Sequence, residues 1–274
     1  MTVVVLGGTG TTGRRVTAQL RRLGHDPRPA SRHTPTPFDW QDESTWRPVL
    51  RGATGLYLMA PHELPVDPAL LAVAVAAGIR HLALLSSRSI EEMGDRRLLA
   101  AERDVAASGA AYTVLRADWF DQNFDEGFFR DAVLAGQLAV PVGGTRFAFV
   151  DADDIAAVAA RVLAEPAAHA GRTYEVTGPA SLSFAEAAEV IGAAAGRPVR
   201  FDGGAEAYRA GMRALGSPPE QTEAEIRAFA ALESAGHSAP TTVVADLTGR
   251  PARSLAEYAA RAAAGGAWPS PGPS

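Results

Sequence analysis

The feature that most constrains the fold is a glycine-rich turn close to the beginning of the sequence. Residues 3–6 form a short β-branched and apolar run, glycines recur over residues 7–13, and residues 12–23 carry apolar side chains at helical spacing until Gly24. A strand buried on both faces, a glycine turn and a helix together make the start of a βαβ unit. The pattern therefore predicts a parallel sheet flanked by helices.

The alternation of strand and helix patterns continues through the first half of the chain. The predicted elements are helix 43–50, strand 55–59, helix 68–77, strand 81–85, helix 95–108 and strand 112–115. This spacing predicts an α/β fold with a Rossmann-like, doubly wound parallel sheet. A later strand at 147–150, followed by a helix at 151–163, predicts that the chain returns to the sheet there.

Beyond residue 116 longer helical segments alternate with glycine and proline loops. Ser183, Thr222 and Ser254 each stand three residues before a glutamate, which is the capping-box pattern of a helix start. We predict a cofactor-binding domain at residues 1–176, with 122–145 contributing to a substrate cleft, and a small, mainly helical lobe at 177–264. Glycine, proline and serine dominate residues 265–274, which are predicted to be a disordered tail.

Composition and charge exclude several classes of function. The 31 acidic residues exceed the 26 basic ones, so the formal net charge of −5 gives no basic field for nucleic acid. Cysteine is absent and every basic residue is arginine, which excludes sulfur-based metal sites and any mechanism that needs lysine. The absence of a secretion pattern and of long apolar runs predicts a cytoplasmic protein without membrane contact and leaves the oligomeric state open.

The glycine turn carries the clearest chemical signal. Residues 7–13 satisfy both G-x-G-x-x-G and G-x-x-G-x-x-G, and they lie between the first strand and the first helix. Glycine lets the backbone approach a pyrophosphate, and the helix N-terminus offers unpaired N–H groups. A loop that only turns the chain is the alternative, but the placement favours dinucleotide binding. The predicted contacts are Gly7, Thr9, Gly10, Thr11, Thr12 and Gly13.

The end of the second strand indicates which dinucleotide is bound. An Asp or Glu that holds a free ribose 2′-hydroxyl is expected about 20 residues after the motif, but the sequence there reads Ala30-Ser31-Arg32-His33. A guanidinium suits a 2′-phosphate, which a carboxylate would repel. We therefore expect NADPH to be preferred over NADH, with Arg32 as the main contact and Ser31 as a helper. A solvated loop arginine is the alternative interpretation.

Further motifs follow the glycine turn in a fixed order. They are Phe38-Asp39-Trp40, Leu58-Met59-Ala60-Pro61, Leu84-Leu85-Ser86-Ser87, Thr113-Val114-Leu115-Arg116, Asn123-Phe124, Phe149-Val150-Asp151 and Tyr174-Glu175-Val176. With these motifs the sequence resembles the short-chain dehydrogenase/reductase superfamily, in particular its atypical NmrA-like branch. The resemblance implies that Asp39 and Trp40 lie near the adenine. It also implies that Met59, Ala60 and Pro61 lie near the cofactor ribose, and Ser86 and Ser87 near the nicotinamide.

The sequence departs from this superfamily at the catalytic residues. Usual members carry a serine with Tyr-x-x-x-Lys, in which the phenol donates a proton and the lysine lowers its pKa. Counting back from Glu102, a glutamate that follows the lysine by four positions in extended members, puts Leu98 in the lysine place and Gly94 in the tyrosine place. Two interpretations stay open: a reductase whose proton comes from Ser87, water or the substrate, or an NADP-binding redox sensor without turnover.

Residues after the strand at 112–115 are candidates for substrate contact. Trp119 and Phe120 would lie at the carboxyl edge of the sheet, so with Ser87 and Asn123 they predict an aromatic or polyketide-like ketone or quinone as substrate. Core packing for the aromatic residues and a helix cap for Asn123 are equally plausible alternatives. His62 is a weaker proton-donor candidate.

The last two predictions concern metal binding and a function without nucleotide binding. Asp151, Asp153 and Asp154 are predicted to be helix caps and partners of the helix dipole, and no metal site is expected there. A purely structural interaction module, which would bind no nucleotide, is the third functional class.

Overall fold

A computed structural model describes residues 1–61 and 64–269. Six parallel strands form the central sheet in the order β2-β1-β3-β4-β5-β8, and two pairs of short strands and two isolated bridges lie outside it. The strands are β1 (Thr2–Leu6), β2 (Asp26–Ala30), β3 (Gly55–Met59), β4 (His81–Ser87), β5 (Ala111–Ala117), β6 (Gln137–Ala139), β7 (Arg146–Phe147), β8 (Arg172–Val176), β9 (Leu182–Ser183) and β10 (Arg200–Asp202). The predicted Rossmann-like α/β fold is confirmed.

Helices cover both faces of the sheet and dominate the C-terminal part. They are α1 (Thr11–Arg22), α2 (Trp46–Leu50), α3 (Pro68–Ala76), α4 (Ile90–Met93), α5 (Arg96–Ala107), α6 (Arg130–Ala135), α7 (Ala152–Ala164), α8 (Pro166–His169), α9 (Phe184–Ala195), α10 (Ala205–Ala214), α11 (Pro219–Ala235), α12 (Val243–Thr248) and α13 (Leu255–Ala264). Within the described residues no helix combines the length and the apolar character that crossing a bilayer requires.

The sheet buries apolar side chains on both faces. Val4 and Leu6 of β1 pack into one core with residues of α2, α3 and α5, and Val3 and Val5 pack into a second core with residues of α1, α7 and α12. This two-sided burial explains why the inner strands read as continuous apolar runs. Strand β2 contains two prolines, and its place at the edge of the sheet tolerates them because an edge strand needs fewer ladder hydrogen bonds.

A third core, rich in aromatic residues, lies beyond the carboxyl edge of the sheet. Trp119 is partly buried against this core and has the rings of Phe129, Phe147, Phe184 and Phe229 within 6.2 Å, centroid to centroid. Strand β6 pairs in parallel with β10, so chain segments from both sides of the predicted boundary at residue 176 meet here. The division of the chain into units stays a prediction.

The predicted return to the sheet at 147–150 is wrong. Strand β7 pairs antiparallel with β9, outside the main sheet, while β8 is the strand that pairs with β5. Sequence reasoning missed β8 because this edge strand is largely exposed and lacks a continuous apolar run. The helix predicted to follow is confirmed as α7, and the Asp151 carboxylate caps it by accepting the N–H of Asp153 at 2.8 Å.

Two of the three predicted helix starts are confirmed. Ser183 and Ser254 form complete capping boxes at α9 and α13. The start predicted at Thr222 is wrong, because α11 already begins at Pro219 and the Thr222 hydroxyl donates to the Pro218 carbonyl oxygen at 3.2 Å. Proline favours the first helical position, where its fixed φ suits the helix and its missing N–H costs nothing.

The first part of the predicted disordered tail, residues 265–269, is in contact with the rest of the protein through Trp268. Trp268 is only 5% exposed, and its indole N–H donates to the carbonyl oxygen of Phe124 at 2.8 Å. This contact joins the segment after α13 to the third core. Residues 270–274 of the predicted tail lie outside the described residues.

A buried histidine stands at the start of β4. Nε2 of His81 lies 2.9 Å from the hydroxyl of Thr113, which itself donates to the carbonyl oxygen of His169, so His81 Nε2 must be the donor. The other ring nitrogen, Nδ1, has no hydrogen-bond partner in the part of the chain that the structure describes. Burial, with a smaller effect of His169, lowers the pKa of His81 to about 4.

Candidate functional site

The glycine turn packs backbone against backbone. Gly7 has a φ of +66°, which glycine adopts without strain, and its carbonyl oxygen accepts the N–H of Gly10 at 2.8 Å. A Cβ on Gly13 would lie 2.1 Å from the carbonyl oxygen of Gly7, so only glycine fits there. A Cβ on Gly10 would have only that same oxygen, at 3.3 Å, as a neighbour. Gly10 thus faces open space while Gly13 does not.

The first turn of α1 presents unpaired donors beside this loop. The N–H of Arg14 bonds to the Gly10 carbonyl oxygen, whereas the N–H groups of Thr11, Thr12 and Gly13 have no acceptor among residues 1–61 and 64–269. Such a helix end favours an anion. This helix end follows β1, which has β2 on one side and β3 on the other, so the order in which strands are added to the sheet reverses at β1. Open α/β sheets bind dinucleotides at such a reversal. These residues fit the pyrophosphate of a dinucleotide.

A carboxylate that the sequence did not reveal contacts this helix end. Glu126 accepts the Thr11 hydroxyl at 3.0 Å and pairs with Arg15 Nη2 at 2.7 Å and Arg14 Nη2 at 2.5 Å. Partial burial opposes ionisation, but the hydrogen bonds from Arg15 and Arg14 prevail and lower the pKa of Glu126 to about 2. No local pattern could have predicted the contact, because its partners are more than 100 residues apart in sequence.

The residues predicted to bind the adenosine half of the cofactor lie after β2. Arg32 is exposed and makes no ion pair or hydrogen bond with any described residue, and Ser31 is half-buried beside it. The Asp39 carboxylate accepts the N–H of Gln41 at 3.0 Å, and the ring of Trp40 packs edge-on against Phe38. Their contacts with a cofactor stay predictions.

A cavity of about 470 Å³ opens at the carboxyl ends of β3, β4 and β5. Its lining unites seven residues predicted for the cofactor and the substrate: Met59, Ala60, Ser86, Ser87, Trp119, Phe120 and Asn123. Sequence reasoning missed other lining residues, including Arg88, Met93, Arg97, Asp118, Phe147 and Leu232, which come from separate loops and helices. Pro61 lies just beyond this set, and the candidate His62 lies outside the described residues.

The two serines at the end of β4 have different hydrogen-bond partners. The Ser86 hydroxyl donates to Glu102 Oε1 at 2.6 Å, and Glu102 is held in turn by Arg116 at 2.7 Å. The Ser87 hydroxyl donates only to the neighbouring carbonyl oxygen of Arg88, at 3.1 Å. The Ser86 hydroxyl proton is therefore held by the Glu102 carboxylate. The Ser87 hydroxyl, in contrast, can donate to a molecule in the cavity after rotation of its side chain.

A polar network closes one end of the cavity. Arg88 Nη1 donates to the Ser238 hydroxyl at 2.6 Å and to the Ala239 carbonyl oxygen at 2.8 Å, and Nη2 pairs with Glu175 at 2.9 Å. The Asp118 carboxylate accepts from Ser238 and from the backbone N–H of Ala148. A second, polar cavity of about 240 Å³ adjoins this network. Arg88 and Asp118 thus anchor the segment after α11 to the sheet edge.

Similarity to solved structures supports the fold. The NADPH-dependent quinone oxidoreductase QOR2 of Escherichia coli, solved with NADPH, matches with a TM-score of 0.79 and 22% identity, covering 95% of this chain and 99% of that one. A mutant of NmrA matches with a TM-score of 0.68 and 15% identity over 94% of each chain. No protein-family model matches the sequence.

Two curated relatives are closer in sequence. The uncharacterized oxidoreductase YesF of Bacillus subtilis is 33% identical over 277 residues, which cover 96% of this chain and 95% of the relative. The chain belongs to the atypical, NmrA-like short-chain dehydrogenases/reductases. The NAD(P)H azoreductase of Xenophilus azovorans is 32% identical over 288 residues, 97% of this chain and 99% of its own. As a member of this superfamily, the chain is an oxidoreductase of the NAD(P)-binding type.

In this short-chain dehydrogenase/reductase the tyrosine place lies at the end of a short helix. Gly94 ends α4 in a left-handed conformation with φ +66°, and Ser89, at the other end of α4, is also left-handed with φ 58°. The next helix, α5, starts only after Asp95, whose carboxylate accepts the N–H of Leu98 at 3.0 Å. A helix end therefore separates the tyrosine place, Gly94, from the lysine place, where the apolar Leu98 lines the cavity.

Proposed function

We propose that the chain is an NADPH-dependent reductase of a small aromatic ketone or quinone. The observation that carries the proposal is the cavity at the carboxyl edge of the sheet, because it joins predicted cofactor contacts on one side to aromatic side chains on the other. Met59 and Ser86 belong to the first group, and Trp119 and Phe120 to the second. The cavity is mostly apolar, as is typical of sites for small organic molecules.

The preference for NADPH rests on charge. Arg32 is the exposed guanidinium that follows β2, and no carboxylate stands in the Ser31 or Arg32 position to repel a 2′-phosphate. The relatives are consistent with this choice, since the azoreductase is named for NAD(P)H and the quinone oxidoreductase was solved with NADPH. NADH is expected to bind more weakly.

The substrate side supplies orientation and a proton. A bound reduced nicotinamide supplies a hydride, so reduction of a carbonyl to an alcohol, or of a quinone to a hydroquinone, also needs one proton at oxygen. Ser87 is the hydroxyl we assign to that proton, which solvent then replaces, and Asn123, which lines the same cavity, is the residue we assign to contact the substrate. A quinone spreads the developing negative charge and needs this acid less than a ketone does.

The second candidate is an NADP-binding redox sensor without turnover. The tyrosine and lysine places favour it, because Gly94 has no side chain that could donate a proton and Leu98 carries an apolar side chain in place of the lysine. Both candidates share the cofactor site. They differ in whether the cavity holds a substrate that is reduced.

The test is a screen of NADPH oxidation with a series of quinones and aromatic ketones. We expect turnover with at least one of them, and we expect Ser87→Ala to lower kcat about 100-fold for a ketone while the Kd for NADPH stays unchanged. Ser108→Ala is the matched control, because Ser108 precedes β5 and the cavity lies at the other end of that strand. Tight NADPH binding without turnover of any compound would favour the sensor.

A further inference from the structure

The charged side chains of the main cavity are not balanced. Its described lining contains two arginines, Arg88 and Arg97, and one carboxylate, Asp118. Arg88 is bound on all sides by Asp118, Glu175, Ser238 and a backbone carbonyl oxygen. Its charge is therefore neutralised within the network that anchors the segment after α11. Among the described residues, Arg97 is the less fully paired of the two arginines, with Asp95 as its one ion-pair partner.

Among residues 1–61 and 64–269, Arg97 has fewer partners than Arg88. Its Nη1 donates to the carbonyl oxygen of Pro61 at 2.9 Å, and its Nη2 lies 3.3 Å from Asp95. Both members of that ion pair are partly exposed, at 23% and 27% of the side-chain surface, so solvent screens the attraction between them. A second anion in the cavity could therefore take up donors of this guanidinium without breaking a buried ion pair.

Arg97 places its positive charge on the cavity wall that α4 and α5 form. It stands in the first turn of α5, directly before Leu98, which occupies the lysine place of the superfamily. Met93, Arg97 and Leu98 form the cavity wall contributed by α4 and α5, whereas Trp119 and Phe120 come from the end of β5. The cavity thus has an aromatic wall and a wall that carries a cation.

We propose that Arg97 selects substrates that carry an anionic oxygen group, such as a carboxylate or a phosphate, in addition to the reducible aromatic unit. The planar guanidinium donates two parallel hydrogen bonds to such groups, and its charge suits them better than a neutral ester or amide. This inference rests on the proposed function, whose substrate class it narrows. Reduction still occurs at the carbonyl or quinone carbons, and the anionic group is unchanged by it.

The experiment compares a naphthoquinone that carries a side-chain carboxylate with its methyl ester. For the unmodified protein we expect a KM for the carboxylate at least tenfold below that for the ester. Arg97→Gln should raise the KM of the carboxylate about 10- to 100-fold, change that of the ester less than about twofold, and leave the Kd for NADPH unchanged. Arg97→Lys, which keeps the charge but loses the planar fork, should recover part of the difference.

Arg103→Gln is the matched control, since Arg103 lies on the same helix, carries the same charge and is exposed away from the cavity. Equal KM values for the two compounds in the unmodified protein would overturn the proposal. An equal increase in KM for both compounds in Arg97→Gln would also overturn it, because Arg97 would then only hold the Pro61 carbonyl oxygen. A change in Arg97→Gln that is confined to the Kd for NADPH would overturn it as well.

Calorimetric binding of both compounds to the protein loaded with NADP⁺ separates this inference from the proposed function. Discrimination in binding without turnover would contradict the reductase and keep the role of Arg97. Turnover without discrimination would keep the reductase and contradict the role of Arg97. Absence of both would overturn both proposals.

Discussion

Substitution of two glycines in the same turn should affect different properties, NADPH binding at Gly10 and stability at Gly13. Gly10 is the cap of α1 and has φ −80° and ψ −179°, an extended conformation that any residue adopts. A Cβ at position 10 would have one close neighbour, the Gly7 carbonyl oxygen at 3.3 Å, which would have to shift by a few tenths of an ångström. In Gly13→Ala the new Cβ would overlap that same oxygen. We expect Gly10→Val to fold without binding NADPH, and Gly13→Ala to be destabilised.

The magnitudes follow from the contacts. An apolar residue in place of a glycine cap costs about 0.5–1 kcal/mol of the free energy of unfolding. A backbone overlap cannot be relieved by rotating a side chain, so Gly13→Ala should cost about 3 kcal/mol, the upper part of the range for overpacking. For a chain of this size these costs correspond to Tm decreases of about 1–3 °C for Gly10→Val and about 5–10 °C for Gly13→Ala.

The assay is thermal unfolding with and without NADPH. At a concentration near 100 times Kd, NADPH should stabilise the unmodified protein by about 2.7 kcal/mol and raise its Tm by about 5–10 °C. Gly10→Val should lose this increase because the valine side chain fills the space assigned to the pyrophosphate. A Gly10→Val protein that keeps the increase would refute the placement of the cofactor. A Gly13→Ala protein with an unchanged Tm would refute the packing argument.

Three further predictions concern charges. Arg32→Ala should lower the preference for NADPH over NADH at least about tenfold, measured by fluorescence titration, whereas Arg47→Ala, another exposed arginine, should not. Glu126→Gln should tighten NADPH binding about threefold or more in calorimetry, because it removes a negative charge beside α1 and releases two arginines; weaker binding would contradict this. Because the pKa of His81 falls from 6.5 in the unfolded chain to about 4 in the folded protein, the unfolded state takes up the proton first as pH decreases. The free energy of unfolding should therefore be unaffected above pH 6.5 and decrease by up to about 3 kcal/mol toward pH 4, and urea titrations of His81→Gln should show a smaller decrease.

The sequence predicted those parts of the fold whose signals are local. The glycine turn, the apolar inner strands and the amphipathic helices each depend on residues close in sequence, and their alternation was sufficient for the α/β fold. Strand β8 was missed because an exposed edge strand resembles a loop, and Thr222 misled because the proline three residues earlier begins the helix first. Trp268 stands in a tail of loop-like composition, yet its contact with Phe124 buries it.

The candidate site divides in the same way. Motifs at strand ends led to Ser86, Ser87, Trp119 and other residues that the structure brings into one cavity. Glu126 and Arg97 were not predicted, because nothing in their neighbourhood distinguishes them from ordinary surface charges. Their significance comes from contacts across the chain, with α1 in one case and with the loop after β3 in the other.

The left-handed residue at the end of α4 limits how this protein can change its chemistry. A tyrosine at position 94 would have to adopt a backbone conformation that costs an L-residue about 1–2 kcal/mol, and its ring would leave a helix that ends there rather than continues. Two point substitutions would therefore add the phenol at a strained helix end and the amine on the next helix, α5. Engineering this chain to reduce unactivated aliphatic ketones would therefore also require relieving the left-handed backbone at position 94.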